Sequence, residues 1–231
     1  MNKILILTDN LYVYNQFKRV ITPPREKTII GCSPGNLNFV NILSEINVND
    51  IDGDDIDLII SLHCQQIIPP KILKKIRCIN VHPGYLPYNR GWYPHIFSMI
   101  NGLPTGTTIH EMTEKIDSGP IIFREKIDIM PWDTSESLYY RIIDKEIDLL
   151  EKNWVSLLEG NYSTFLADEI GNYNSKSDFR KLCNLDLTRT GTFQEFYNIL
   201  RALSFTGYQN AHFIDANGNT IGLELKVTNC K

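Results

Sequence analysis

The sequence predicts an α/β fold built on a doubly wound, mostly parallel β-sheet, and three observations support this. Four short apolar runs in the first third of the chain are continuous rather than alternating, as in strands buried on both faces of a parallel sheet. These runs are KILILT (3–8), KTIIGC (27–32), DLIISL (57–62) and RCINV (77–81). Segments of helical length separate them, such as NLYVYNQFKRVI before Pro23. A chain of 231 residues is long enough for one well-packed domain with a small appendage.

The elements that follow are indicated by turn and helix signals. YPHIFSMING predicts a short helix, because Pro94 would fall in its first turn and Gly102 just beyond its end. The stretches TGTTIHEM and GPIIFREKIDI then predict two strands. The loop TEKIDS joins them and contains Asp117.

A long helix is predicted after these strands. Asp133 and Glu136 stand three residues apart like a capping box, and apolar residues keep nearly helical spacing as far as Gly160. This helix is expected to pack across the sheet and to complete a main domain of residues 1–171.

A C-terminal extension, residues 172–231, begins where the sequence becomes polar. Thr192 and Glu195 form a second capping box before a helix that is expected to end at Gly207. NAHFIDANGNTIGLEL predicts a β-hairpin that turns at Asn217 and Gly218. One helix and one hairpin bury too little surface to fold alone, so we expect them to pack on the main domain or on a second subunit of a homodimer.

Composition narrows the classes of partner. A formal charge of -4 and the lack of a long Lys/Arg run argue against a nucleic-acid partner. The chain contains no stretch of about 20 apolar residues, so no membrane span is predicted. The five cysteines, including Cys230, are odd in number and lack CxxC spacing, which predicts reduced thiols in the cytoplasm. No His, Cys and Asp cluster has the spacing of a metal site.

The ligand site is expected at the carboxyl ends of the strands. The sequence has neither G-x-G-x-x-G nor G-x-x-x-x-G-K-[ST], which disfavours a dinucleotide enzyme and a P-loop ATPase. Open α/β sheets still bind ligands beyond the carboxyl ends of their strands, where the winding reverses. Two such ends carry polar residues, namely those after residues 57–62 and 77–81.

Asn80, His82 and Asp117 form a candidate catalytic set. Asn80 and His82 are two residues apart at a strand end, so their side chains point to the same side, and Asp117 follows 37 residues after Asn80. In acyl transfer, an amide can stabilise an oxyanion, an imidazole can accept a proton, and a carboxylate can orient the imidazole and raise its pKa. Each residue also has an ordinary structural interpretation: a strand end, a satisfied loop histidine and a turn cap. Spacing alone leaves both interpretations open.

The stretch NVHPGYLPYNRG, followed by NGLPTGTTIHEMTEKIDSGPII, resembles the core signature of formyltransferases that use N10-formyltetrahydrofolate. The resemblance covers roughly residues 57 to 160, nearly half of the chain. It implies a Rossmann-like formyltransferase fold, N10-formyltetrahydrofolate as co-substrate, and Asn80, His82 and Asp117 as the catalytic trio. His110, His95 and His212 carry no partner pattern and are interpreted as packed or surface histidines.

The same resemblance implies where the two substrates bind. The folate would be held, largely through backbone contacts, by His63, Gln65, Gln66, Ile67, Ile68 and Pro69. Gly84 and Tyr85 stand where methionyl-tRNA and glycinamide ribonucleotide formyltransferases usually carry serine and leucine. This variant resembles enzymes that formylate nucleotide-linked amino sugars for cell-surface polysaccharide, with dTDP-4-amino-4,6-dideoxyglucose as the expected acceptor. The expected contacts to the sugar nucleotide are Tyr88, Asn89, Arg90, Trp92 and Tyr93, with Arg90 binding the pyrophosphate through two hydrogen bonds.

Several alternatives stay open at this point. The acceptor could be a UDP- or GDP-linked amino sugar, a 3-amino sugar, glycinamide ribonucleotide, or water in a hydrolase. A methionyl-tRNA enzyme is disfavoured, because residues 172–231 hold seven Lys/Arg and five Asp/Glu, too balanced for an RNA-binding patch. A non-catalytic sugar-nucleotide or folate binder would keep the fold without turnover.

Overall fold

The computed structural model describes residues 3–228, so Cys230 lies outside the described part of the chain. A seven-stranded sheet in the order β3-β2-β1-β4-β5-β7-β8 forms its centre. The strands are β1 Lys3–Leu7, β2 Thr28–Cys32, β3 Ser44–Glu45, β4 Ile56–Leu62, β5 Arg77–His82, β6 Arg90–Gly91, β7 Thr105–Glu111, β8 Ile121–Ile127, β9 Tyr173–Asn174, β10 Ser204–Phe205, β11 Tyr208–Gln209, β12 Ala211–Ile214 and β13 Thr220–Leu223.

The predicted mostly parallel sheet is confirmed. Strands β3, β2, β1, β4 and β5 pair in parallel, and β7 pairs antiparallel with both β5 and β8. The four apolar runs of the first third form β1, β2, β4 and β5. The chain order reverses between β1 and β4, so the carboxyl ends of these two strands border the crevice in which such sheets bind ligands.

Helices cover both faces of the sheet. They are α1 Leu11–Val20, α2 Pro70–Leu73, α3 Pro94–Asn101, α4 Ser135–Glu159, α5 Lys176–Cys183 and α6 Phe193–Leu203. On one face, α1 and α4 pack against the side chains that include Ile4, Ile60 and Ile79. On the other face, α2 packs against the set that includes Leu5 and Ile59. Successive residues of β1 and β4 therefore point alternately to the α1/α4 side and to the α2 side, and both faces of these strands are buried.

Helix α4 begins one residue later than the predicted capping box. Thr134 is the N-cap and exchanges hydrogen bonds with Ser137, so the assignment of Asp133 and Glu136 to the box is wrong. Asp133 is fully buried and accepts a hydrogen bond from the Ser137 hydroxyl at 3.0 Å. The predicted end of the helix at Gly160 is confirmed by the left-handed backbone of this residue, with φ 71°.

The C-terminal extension contains one helix more than the sequence predicted. Helix α5 lies in the stretch that was interpreted as polar and irregular. Helix α6 begins at the predicted Thr192–Glu195 box but ends at Leu203, and Gly207 lies in the turn between β10 and β11, so the predicted helix end is wrong. Strands β12 and β13 form the predicted hairpin. Ile199 and Leu203 share a core with α3 and α4, so the extension packs on the main domain.

Two further features bear on the predicted classes of partner. None of the helices within residues 3–228 has the length and apolar character that crossing a membrane requires. The four cysteines in this range are free thiols.

Candidate active site

Three side chains from two parts of the chain meet at the carboxyl end of β5. Asn80 and His82 lie on this strand, and Asp117 lies in the loop between β7 and β8, with a left-handed φ of 47°. The Asn80 Nδ2 atom donates to Asp117 Oδ1 at 3.3 Å, and His82 Nδ1 is 3.6 Å from Asp117 Oδ2. The structure therefore brings the predicted trio into one cluster, with the carboxylate between the amide and the imidazole.

His110, expected from the sequence to be a packed histidine, is a fourth member of this cluster. It lies directly opposite Asn80 in the antiparallel pairing of β5 and β7. Its Nδ1–H donates to the carbonyl of Glu111 at 2.8 Å, which leaves Nε2 as an acceptor for Asn80 Nδ2 at 3.3 Å. The same Nε2 atom is 3.6 Å from Asp117 Oδ1. The observation that identifies His110 as a site residue is the pairing register of β5 and β7, which places it beside Asn80.

Burial and charge together set the protonation of the pair His82 and Asp117. Burial alone would raise the pKa of Asp117. His82, His110 and the hydrogen bond from the Gly91 amide lower this pKa by more than burial raises it, so the net pKa lies well below the ordinary value. Burial lowers the pKa of His82 more than Asp117 raises it. The expected rise in the pKa of His82 is therefore wrong. A lowered pKa leaves the imidazole neutral at neutral pH, which is the form that can accept a proton.

Gly84 provides the space in which the His82 ring lies. A Cβ atom built on Gly84 would be 2.6 Å from His82 Nε2 and 3.0 Å from the Cβ of Pro94. Within the described residues, His82 Nε2 is buried and has no hydrogen-bond partner. The absence of a side chain at Gly84 thus leaves room for the imidazole in this position.

The segment expected to hold the folate divides between the two faces of the sheet. His63 has a left-handed φ of 58°, and its Nε2 is 2.7 Å from Oε2 of Glu146 on α4. Gln66 is instead tied to the loop after β3, where its amide donates to the carbonyl of Ile46 at 2.8 Å. Ile68 is 3% exposed in the core beside α2, and Ile67 is 72% exposed.

Asp9 fixes the start of this segment. Its carboxylate accepts hydrogen bonds from the Gln65 amide at 2.7 Å, from the Ser33 amide at 2.8 Å and from Asn36 Nδ2 at 3.1 Å. These bonds join the loops that follow β1, β2 and β4. Pro69 directly precedes α2 and ends the segment.

Asn89, one of the expected substrate contacts, does not reach the cleft. Its side chain is fully buried and bonds to Ser98 at 2.8 Å and to Asn172 at 2.7 Å. These contacts anchor the loop that carries the neighbouring candidates. Tyr88 is half-buried, and its amide donates to the carbonyl of Tyr85 at 3.1 Å.

Arg90 lines a cleft of about 210 Å³ that reaches Asp117. The guanidinium donates to the Ser118 hydroxyl and, at 3.4 Å, to the carbonyl of Asn172. The other lining residues are Leu86, Pro87, Ser118, Gly119, Ile121, Leu166 and Ala167.

Trp92 and Tyr93 form an aromatic surface beside the trio. The Lys176 ammonium lies 3.7 Å from the centre of the Trp92 ring, and the Tyr93 ring lies 4.1 Å from that of Phe179. The amide of Gly91, the residue before Trp92, donates to Asp117 Oδ2 at 2.9 Å. One hydrogen bond thus connects this surface to the carboxylate.

Metal ligation has no candidate in the described part of the chain. Residues 3–228 contain no group of three or more His, Cys, Asp or Glu side chains that could hold an ion. The trio and its surroundings offer chemistry based on proton transfer and hydrogen bonding.

Comparison with known proteins identifies the family. Residues 38–153 match the model of the family described as formyl transferase, and residues 178–229 match the N-formyltransferase dimerization C-terminal domain. The chain is 44% identical over 224 residues to a dTDP-4-amino-4,6-dideoxyglucose formyltransferase of Mycobacterium bovis, covering 94% of this chain and 93% of that enzyme.

Solved structures show the same fold. A sugar N-formyltransferase from Shewanella sp. superposes with a TM-score of 0.95 at 35% identity, with full coverage of both chains. An N-formyltransferase from Helicobacter canadensis, solved with folinic acid and dTDP-3-aminofucose, superposes with a TM-score of 0.73 at 21% identity over 90% of this chain and 83% of that one. The predicted formyltransferase fold is confirmed. On the evidence of its matched length, its identity to these relatives and its fold, the chain belongs to the formyl transferase family and is a sugar N-formyltransferase.

Proposed function

We propose that the protein transfers the formyl group of N10-formyltetrahydrofolate to the amino group of dTDP-4-amino-4,6-dideoxyglucose, in the synthesis of a cell-surface polysaccharide. The observation that carries this proposal is the convergence of Asn80, His82 and Asp117 at the edge of the sheet. The acceptor follows the name of the Mycobacterium bovis relative. The ligands of the Helicobacter canadensis structure support a folate and a dTDP-linked amino sugar as the two substrates.

The proposed reaction uses the trio in a defined order. The neutral sugar amine attacks the formyl carbon, a carbon–nitrogen bond forms, and the formyl oxygen becomes negatively charged. Asn80 donates to that oxygen, and His82 Nε2 accepts the proton that the amine loses. The bond between the formyl carbon and N10 then breaks, and His82 returns the proton to N10. Asp117 keeps the imidazole oriented and stabilises its protonated form.

In the free protein, the Asn80 amide makes only long hydrogen bonds and remains available for this role. Its two N–H bonds point to Asp117 Oδ1 and His110 Nε2, both at the long distance of 3.3 Å. Such weak contacts can be exchanged for a stronger bond to an oxyanion when substrates bind. We propose that His110 positions Asn80, which in turn bonds to Asp117, without touching the substrates.

The sugar nucleotide is proposed to approach along the aromatic surface of Trp92 and Tyr93. Lys176 and Arg90 supply positive charge for the pyrophosphate, and an aromatic ring can stack on the base. The folate is proposed to contact the backbone of residues 65–69, which Asp9 holds in place through the Gln65 amide.

A homodimer formed through the C-terminal extension is part of the proposal. The matched domain name describes dimerization, and six large hydrophobic side chains in the described part of the extension are exposed. They are Tyr173, Leu187, Phe193, Tyr208, Ile214 and Ile221. An apolar, solvent-facing hairpin is a surface that a symmetric partner would cover.

A panel assay tests the function. The purified protein is incubated with N10-formyltetrahydrofolate and one nucleotide-linked sugar at a time: dTDP-, UDP- and GDP-linked 3-amino and 4-amino sugars, with glycinamide ribonucleotide as a further acceptor. Mass spectrometry should show the gain of one formyl group on dTDP-4-amino-4,6-dideoxyglucose, with a higher kcat/KM than on the others. Asn80→Ala should reduce kcat by roughly 100- to 1,000-fold, as loss of other oxyanion donors does. Preference for another acceptor, or near wild-type turnover in Asn80→Ala and His82→Asn, would contradict the assignment.

A further inference from the structure

A second buried pair of an imidazole and a carboxylate lies at the reversal of strand order and has no role in the mechanism above. His63 follows β4, and Glu146 lies on α4 with no exposed surface. Their contact distance is 2.7 Å. A carboxylate placed on the buried face of a helix requires a partner or a function, because burial of an unpaired charge is costly.

The contact fixes which nitrogen of His63 carries the proton. A carboxylate only accepts hydrogen bonds, so Nε2 of His63 must be the donor to Glu146. In the neutral ring, Nδ1 is then an acceptor. Nδ1 has no hydrogen-bond partner within residues 3–228, and the side chain keeps 10% of its surface exposed. With the ring neutral, its Nδ1 lone pair is turned away from the carboxylate.

The backbone of His63 directs this ring to one side of the sheet. Its φ of 58° is uncommon for a residue with a side chain, and it turns the imidazole towards α4. Ile68 packs instead in the cluster on the α2 face, whereas Ile147, next to Glu146, packs on the opposite face. The side chains of His63 and Ile68 therefore lie on opposite sides of the sheet.

The Tyr139 ring contacts the rings of both His63 and His95. The Tyr139 ring lies 6.4 Å from that of His63 and 5.5 Å from that of His95, which is on α3. Helix α3 begins immediately after Tyr93. Two buried polar atoms of this group lack a partner in the described residues, namely His95 Nδ1 and Glu146 Oε1. Apolar rings with a few fixed polar atoms are the usual lining of a small-molecule pocket.

We infer that His63 is a specificity residue for the acceptor, whose Nδ1 accepts a hydrogen bond from a hydroxyl or amino group of the bound sugar, and that Glu146 is the positioning residue that fixes its tautomer. The inference rests on the proposed function.

Two variants and one control test the inference by direct binding. His63→Asn suits the left-handed backbone, in which asparagine is tolerated, and Glu146→Met keeps the length of the side chain while removing both oxygens that could accept from His63. Calorimetry should show that each variant binds the dTDP-linked amino sugar at least about fivefold more weakly than wild type, as expected for one lost hydrogen bond. Binding of 5-formyltetrahydrofolate should change by less than about twofold. His212→Asn, a histidine change in the hairpin, should match wild type in both.

A measurement on the wild-type protein keeps the test independent of folding defects. In protein with ¹⁵N-labelled histidine, nuclear magnetic resonance should show His63 protonated on Nε2. Its Nδ1 resonance should shift on addition of the sugar nucleotide and not on addition of the folate. A wild-type protein that binds no dTDP-linked amino sugar overturns the proposed function. A protein that binds and formylates the sugar while His63 Nδ1 does not shift, or whose variants lose folate affinity instead, overturns this inference alone.

Discussion

Gly84→Ala should reduce turnover strongly while leaving the protein folded. The new Cβ would lie 2.6 Å from His82 Nε2, about 0.8 Å closer than the 3.4 Å at which ordinary contact begins. The Cβ of Pro94 is only 3.0 Å away, so the new methyl group cannot retreat to that side and the imidazole has to move. His82 Nδ1 is already 3.6 Å from Asp117, and further displacement weakens the contact that orients the ring. A misplacement of about 1 Å can cost roughly 100-fold in rate, and we expect a loss of that order in kcat.

The assay is steady-state formyl transfer, with unfolding in urea measured in parallel. Overpacking should cost about 1–3 kcal/mol in the free energy of unfolding, which a folded domain can tolerate. Gly222→Ala is the matched control, because its Cβ would meet only the Gln209 side chain, at 3.6 Å or more. The control should retain wild-type turnover. If Gly84→Ala kept kcat within about twofold of wild type, the ring position at Gly84 would not limit catalysis and the reasoning would be refuted.

Three further predictions concern groups around the site and the extension. Burial and the nearby His63 lower the pKa of His95 to about 3, so protonation favours the unfolded chain: stability is complete above about pH 6.5 and falls as the pH drops. Urea unfolding should show that wild type loses about 2 kcal/mol more than His95→Gln between about pH 8 and about pH 5, and equal losses would refute this. His110→Ala should lower kcat about tenfold with little change in either KM, and a wild-type kcat would exclude a positioning role. Ile221→Asp should convert a dimer to a monomer in sedimentation, and an unchanged dimer would place the interface elsewhere.

The sequence contained enough to predict the sheet and the trio. Continuous apolar runs identified β1, β2, β4 and β5, because strands buried on both faces need apolar side chains throughout. Asn80 and His82 were placed by the two-residue period of a strand. Asp117 needed the family resemblance, because a loop position 37 residues away has no local signal of where its side chain lies.

The groups that were missed depend on pairing and burial. His110 enters the site only because β5 and β7 pair with Asn80 opposite it, and register is not written in either strand alone. The burial of Glu146 could have been predicted from the sequence, because this residue lies four positions after Ile142 and therefore on the core-facing side of α4. Helix α5 was missed because its only fully buried residue is Cys183, which leaves the apolar period weak.

Under the proposed function, the bond from the Gly91 amide to Asp117 links binding of the nucleotide to the rate of formyl transfer. Trp92 follows Gly91 directly, so a nucleotide stacked on this ring as proposed would also affect how firmly Asp117 is held. A sugar nucleotide whose base fits poorly would then bind more weakly and would also be formylated more slowly once bound. Selectivity measured from dissociation constants alone would understate how well such an enzyme tells its substrates apart.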